Sequence, residues 1–352
     1  MNAGLLRVKV ATRENGVRAV TIESPRGDVA SIFLGKTPAE AAAMAKLLFS
    51  LCPASQSLAV EVAGEAALSH TPDPARSHAR ALRVLCERLG EMLRASVLDW
   101  PRDAPPAREE IDALRVSLNV LRAIPGDDEA RHSLASVEQA ARKLGLRDFT
   151  QGDTLFARQW AEVRADEANW DLCETKADFL RESDDDAVAQ AMMDQNFARA
   201  PGLPGRRVET GAVARQAAAG FVNSTSARLA ARFHDMTATL DAIRALLGGL
   251  AAPSGIVGAH NIGPGEGYAA VDSARGRLYH RLKLDDGGRI AAYAIVAPTE
   301  WNFHPDGPFV RLLLGARIGA GTAAARRRVE RLAFVFDPCI GVGAEIRDDM
   351  HA

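Results

Sequence analysis

Cysteine is the side chain in this sequence best suited to hold a soft metal, and four are present: Cys52, Cys86, Cys173 and Cys339. A deprotonated thiol is a strong donor to late transition metals, whereas a protonated one packs like a small hydrophobe. On residue type alone all four read as reduced, buried or half-buried thiols, and their wide scatter makes no disulfide framework. Arg275, in Asp272-Ser273-Ala274-Arg275-Gly276, offers a guanidinium fork for an anionic group, or for an acid such as Asp272 or Glu266. Thr299, after Pro298, offers a hydroxyl that suits either a ligand or a helix cap. His280 and His304 are metal donors by type, but no second donor at ligand spacing accompanies either, and both read as structural. Trp301 reads as core.

Lys plus Arg is 43 and Asp plus Glu is 45, a formal net charge of −2, which gives no electrostatic case for nucleic acid or an anionic membrane. No apolar run approaches the roughly 20 residues needed to cross a bilayer. Met1-Asn2-Ala3-Gly4 carries no basic stretch leading into an apolar one, so no secretory signal is visible and a cytoplasmic location is expected. With 352 residues and 47% hydrophobic side chains, the chain has ample material for a core.

The elements that must position these residues change character along the chain. Leu6, Val8 and Val10 alternate as in a strand, as do Val17, Ala19 and Thr21, with Asn15-Gly16 between them as a hairpin signal. A third strand is expected over Val29 to Leu34. Thr37-Pro38-Ala39-Glu40 has the N-cap, first-turn proline and glutamate of a capping box, and Pro53 should break or restart the helix that follows. Helical periodicity dominates to about residue 250, with helices expected near 78–99, 107–124, 128–144, 154–168, 174–198 and 222–249, and a break at Pro201-Gly202-Leu203-Pro204-Gly205. Gly263 to Gly267 lacks the strand–turn–helix setting of a nucleotide loop and reads as a turn. Strands are expected at 268–272, 278–284 and 290–296, and helices around 309–316 and 321–333. The Arg326-Arg327-Arg328 run on the latter reads as a solvated face, with a partner surface as the alternative.

Five segments, in order and spread over nearly the whole sequence, resemble the nickel-iron hydrogenase large subunit. Leu51-Cys52-Pro53-Ala54-Ser55-Gln56 is similar to its Arg-x-Cys-Gly-x-Cys-x-x-x-His motif, with Cys52 at the second cysteine, Phe49 at the first and Gln56 at the histidine. Val208-Glu209-Thr210-Gly211-Ala212-Val213-Ala214-Arg215 resembles Val-Gly-Pro-Leu-Ala-Arg. Asp272 to Gly276 with His280 resembles Glu-Ala-Pro-Arg-Gly and its downstream histidine. Val296-Ala297-Pro298-Thr299-Glu300-Trp301-Asn302 resembles Val-Pro-Thr-Thr-Trp-Asn. Asp337-Pro338-Cys339 resembles the start of Asp-Pro-Cys-x-x-Cys, with Val342 at the second thiol.

The resemblance implies four thiolates around nickel and iron, of which this chain keeps Cys52 and Cys339. The family's proton-relaying Arg-Ile-Glu-Gly-His segment has no counterpart before Leu6. Arg275 and Thr299 match the residues that hydrogen-bond the two iron cyanides, and Ala274, Ala297 and Pro298 match the wall beside the carbon monoxide. The combination resembles the HupK/HoxV-type accessory proteins of hydrogenase maturation. It implies an α+β fold, a central helical bundle with peripheral antiparallel strands, as one domain over 1–352. Its parts are N-terminal strands at 1–36, helices at 37–250, a β-meander at 266–300 and a C-terminal part at 301–352. The implied function is a scaffold that transiently binds Fe(CN)2CO, without nickel, an iron–sulfur cluster or hydrogen turnover. Implied partners are a small HypC-like chaperone, a HypD-like iron-assembling protein and the hydrogenase large subunit. No tail processing is expected after Cys339. The alternatives are a divergent metal-dependent hydrogenase-like enzyme and a metal-free decoy that binds maturation factors.

Overall fold

The computed structural model describes residues 5–24, 27, 29–126, 132–216, 221–319 and 322–348. The first hairpin forms as expected, β1 (Leu6–Arg13) against β2 (Gly16–Glu23), with Val8, Val10 and Val17 on the buried side. Its turn residues are Glu14 and Asn15, both at positive φ (53° and 62°), one position earlier than the Asn-Gly signal suggested. The strand expected over Val29–Leu34 is instead a single 3-10 turn, Ala30–Phe33, with only Phe33 buried. That span has one residue for the core, not an alternating set.

The helices follow their start signals. In α1 (Pro38–Leu48), Thr37 and Glu40 close the expected capping box. Pro53 restarts the chain as the first residue of α2 (Pro53–Ala67), a helix buried on nearly every side. The long α3 (Pro74–Leu98), α4 (Arg108–Ala123), α5 (Leu134–Leu144) and α6 (Leu155–Glu167) complete the first helical group; of the helix expected over 128–144, residues 128–131 lie outside the described residues. The helix expected over 174–198 does not form as one piece. Residues 174–181 form no helix: Phe179 makes a parallel bridge to Glu209, with Leu180 N donating to Glu209 O and Glu209 N donating to Asp178 O, both at 2.9 Å. Short helices α7 (Asp185–Ala191), α8 (Gln195–Arg199) and α9 (Ala212–Gln216) then lead to the central α10 (Thr225–Leu247).

The meander begins one strand earlier than its periodicity showed. β3 (Val257–Gly263), β4 (Glu266–Ser273), β5 (Gly276–Leu284) and β6 (Ile290–Val296) form one antiparallel sheet in chain order, and Gly263 to Gly267 is the β3–β4 turn region. β3 has no alternation to read, because all its residues are half-buried or exposed. After α11 (Pro298–Asn302), α12 (Pro308–Leu313) and α13 (Thr322–Val335), the chain ends its described part in β7 (Val342–Asp348). β7 lies parallel to β1, pairing Leu6 with Val342 through Thr12 with Asp348, so the first sheet is mixed and not purely antiparallel. In the Arg run, only Arg326 is exposed; Arg327 pairs with Asp103, and Arg328 is buried against the Ile318 carbonyl. With half of its residues helical and antiparallel strands at both ends, the molecule is α+β.

A candidate thiol site at the junction of five segments

One guanidinium links Cys52 to the segment that carries Cys339. Cys52 occupies the N-cap of α2 in the left-handed region (φ 60°), which turns its thiol inward, and it is buried. Arg275 Nη1 donates to Cys52 Sγ at 2.9 Å, and Arg275 Nε donates to the Pro338 carbonyl, immediately before Cys339, at 3.3 Å. Thr299, on the first turn of α11, donates its hydroxyl to Cys339 Sγ at 3.0 Å and accepts the Cys339 backbone N–H at 3.2 Å. Each thiol therefore has its own hydrogen-bond donor. Ala274, Ala297 and Pro298 are all buried, while Phe49 and Val342, where the resemblance placed lost thiols, are half-buried apolar residues. Arg275 pairs with neither Asp272 nor Glu266: Asp272 is taken by Arg215 and Arg88, and Glu266 by Arg281 and Lys283.

The backbone around Arg275 is held from below. Arg215 spans Asp235 and Asp272, each at 2.7 Å, and also donates to the carbonyls of Ser273 and Ala274. Arg275 and Gly276 then turn against Thr210-Gly211. A Cβ on Gly276, at φ 123°, would lie 2.5 Å from Thr210 Oγ1, and one on Gly211 would meet the Arg275 carbonyl at 2.9 Å. No other residue allows the two backbones to approach so closely. Asn302 is the stitch to the tail: its Oδ1 accepts from Thr210 N, and its Nδ2 donates to the carbonyls of Thr210 and Phe336, all at 3.0 Å. Arg228 stacks over the Phe336 ring at 3.8 Å, and Arg232 pairs with Asp337 at 2.6 Å, which fixes Asp337 at its positive φ of 51°. All five segments singled out in the sequence thus converge here.

The charges are arranged so that Arg275 stays cationic while Cys52 stays a thiol. Burial opposes the charge on Arg275, but Cys52 when it is ionised, and Asp337 and Glu91 in any case, hold it above its ordinary range. Burial pushes the Cys52 thiol up to about 12; Arg275 acts to lower it, and Glu87, Glu91 and Asp337 act to raise it. Near neutral pH Cys52 is therefore protonated. Glu87 and Glu91, both on α3, had no sequence signal beyond an ordinary charged helix. Glu87 accepts from the N–H groups of Ala54 and Ser55 and from the Ser55 hydroxyl, fixing the first turn of α2 behind Cys52. Desolvation raises its carboxyl despite those bonds.

Among the described residues no group of three or more His, Cys, Asp or Glu could hold a metal ion. What the site offers is two thiols and two donors. That set fits a metal unit that brings anionic ligands of its own: soft sulfur for the metal, a guanidinium and a hydroxyl for the anions, apolar residues for the rest. His280 is buried between Gln56 and Tyr293 and does not reach a thiol. His304 accepts the Asp306 N–H through Nδ1, Trp301 is core, Cys86 is buried, and half-buried Cys173 donates to the Leu314 carbonyl. Among the described residues no helix is long and apolar enough to cross a membrane.

Comparison with known proteins identifies the family and the fold. The pattern shared by the nickel-dependent hydrogenase family matches residues 214–344. The hydrogenase expression/formation protein HupK of Rhizobium leguminosarum is 37% identical, over 95% of this chain and 94% of that protein. The chain belongs to the HupK family of hydrogenase expression/formation proteins. HupK of Bradyrhizobium diazoefficiens is 34% identical, over 93% of this chain and 92% of its own length. Among solved structures, the [NiFeSe] hydrogenase of Desulfovibrio vulgaris Hildenborough (G491S variant) superposes with a TM-score of 0.64 at 15% identity, covering 94% of each chain. At that identity the likeness is one of fold: this HupK-family chain has the hydrogenase large-subunit fold. Membership places it among the accessory proteins of hydrogenase formation.

Proposed function

We propose that this protein is a maturation scaffold that holds the iron half of the hydrogenase cofactor, an Fe(CN)2CO unit, between Cys52 and Cys339 and passes it to a hydrogenase large subunit, without turning over hydrogen itself. The observation that carries the reading is the pairing of each thiol with its own donor, Arg275 on Cys52 and Thr299 on Cys339. The unit is cargo, not a resident cofactor. Arg275 and Thr299 would donate to its cyanides, and Ala274, Ala297 and Pro298 would wall the carbon monoxide. Cys52, pushed up to about 12, must lose its proton as iron binds and regain it on release, which makes the hold reversible. Phe49 and Val342 leave the nickel side without sulfur, and two thiolates hold iron less firmly than a complete cluster does.

A small HypC-like chaperone and a HypD-like iron-assembling protein are the expected donors of the unit, and the large subunit its acceptor, in the cytoplasm. Neither nickel nor an iron–sulfur cluster is expected in the protein. The test is anaerobic purification from cells with intact maturation genes, followed by infrared spectroscopy and metal analysis. Cyanide and carbon monoxide bands with iron and without nickel support the scaffold. Stoichiometric nickel with hydrogen turnover would make it an enzyme. Partners co-purified without bands or metal would make it a decoy. Cys52→Ala or Cys339→Ala should abolish the bands.

A further inference from the structure

A three-residue polar chain runs through the core behind the thiol site and ends in a donor with no partner. Tyr293 on β6 has its hydroxyl 2.6 Å from His280 Nδ1, and His280 Nε2 lies 2.8 Å from Gln56 Oε1. His280 on β5 is wholly buried, and Tyr293 and Gln56 are each 8% exposed. Burial pushes the imidazole down to about 3, so it is neutral, with one N–H to give and one lone pair to accept.

The direction of the chain follows from counting hydrogens. The Tyr293 hydroxyl has no other protein partner among the described residues, so its hydrogen goes to His280 Nδ1. The imidazole proton then sits on Nε2 and is donated to Gln56 Oε1. This fixes the Gln56 amide with its oxygen toward His280 and its NH2 group away from it. That NH2 group has no protein acceptor among the described residues, although the side chain is nine-tenths buried. The NH2 nitrogen is not sealed from solvent, so it carries no buried-donor penalty and an acceptor that arrives from outside can reach it.

The position says where that acceptor lies. Gln56 is one helical turn after Cys52, its N–H donating to the Cys52 carbonyl at 3.0 Å. Side chains on a helix lean toward its N-terminus, so the Gln56 amide covers the turn that begins at Cys52.

We propose that Gln56 is a third positioning donor of the site, locked by Tyr293 and His280 so that its amide N–H meets the anionic group bound on Cys52. The inference rests on the iron-unit reading and names a residue that reading does not need. Arg275 approaches Cys52 from the β4–β5 turn, and Gln56 approaches from α2. The unit would be gripped from two elements, and its orientation set by a hydrogen-bond chain that ends two strands away.

The test is the infrared spectrum of the anaerobically purified full chain, read per iron bound. Gln56→Leu removes the donor, and the cyanide bands should shift from their wild-type positions. Tyr293→Phe removes the hydroxyl that fixes the imidazole, frees the amide to turn over, and should shift the same bands although it lies further from Cys52. The double variant should show no more than the larger single shift, because both act through one amide. Gln56→Glu, which keeps the shape and loses the NH2, replaces Gln56→Leu if the latter fails to fold. Bands that superpose on wild type in the Gln56 variants would overturn the proposal, as would additive shifts in the double variant. A wild-type protein with no bands at all fails the iron-unit reading itself and takes this inference with it, a result distinct from unshifted bands.

Discussion

His280 should make the fold acid-sensitive in a way that one substitution removes. Burial holds its imidazole down to about 3, against an ordinary value of 6.5 in the unfolded chain. The sign follows from proton counting: between those values the unfolded chain binds a proton that the folded one refuses, so stability falls as pH falls. The contribution is complete above 6.5 and is lost progressively toward 3. At about pH 5 the unfolded imidazole is almost fully protonated and the folded one almost fully neutral, which costs about 2 kcal/mol relative to about pH 8. The variant His280→Gln cannot take up this proton. Its stability is lower throughout, because the bonds to Gln56 and Tyr293 are disturbed, but its pH dependence should be shallower. Urea unfolding of both proteins at the two pH values gives four stabilities. The gap between wild type and variant should narrow by about 2 kcal/mol on going to the acid condition, since all other titrating groups are common to both. An equal gap at both pH values would show that the imidazole is not held neutral by burial, and the tautomer argument for Gln56 would lose its basis.

Native-state alkylation mapped by mass spectrometry should label half-exposed Cys339 and Cys173 first, while Cys52 and Cys86, both buried and pushed up to about 12, react only on unfolding. Asn302→Ala deletes three hydrogen bonds between the Thr210 segment and the tail and should cost about 2–4 kcal/mol in thermal or urea unfolding, leaving Cys339 more reactive than in wild type. Gly276→Ala puts a Cβ 2.5 Å from Thr210 Oγ1 at φ 123°, and should destabilise by about 2–5 kcal/mol or prevent folding; wild-type stability would mean that the Thr210–Gly276 contact is looser than described.

The segments of the candidate site were legible in the sequence because each is short and local. Cys52, Arg275, Thr299 and Cys339 come together because each sits in a short segment whose neighbours also matter: Pro53 starts α2, Gly276 allows the close turn, and Asn302 ties two segments. The start of α1, which carries a capping box, was placed where the structure has it. The failures were tertiary. Residues 174–181 have helical composition but form no helix, because residues 178–180 bond to Glu209, which is distant in sequence. β3 and β7 have no clean alternation because neither has one dry face and one wet face. Glu87 and Glu91 look like solvated helix charges until α2 packs against α3, and Gln56 gains its meaning only once His280 is beside it.

The parallel pairing of β1 with β7 bears on the order of events during synthesis. Leu6 donates its N–H to the Gly341 carbonyl, so β1 waits for a strand made more than 300 residues after it. Contacts of such sequence separation form late in folding. Cys339 lies just before β7, and its segment is bound to Arg275 in the β4–β5 turn and to Thr299 and Asn302 on α11. A nascent or truncated chain would therefore present Cys52 without its counterpart. The two thiols share one folded site only once the chain has been made past Cys339 and β7 has joined β1.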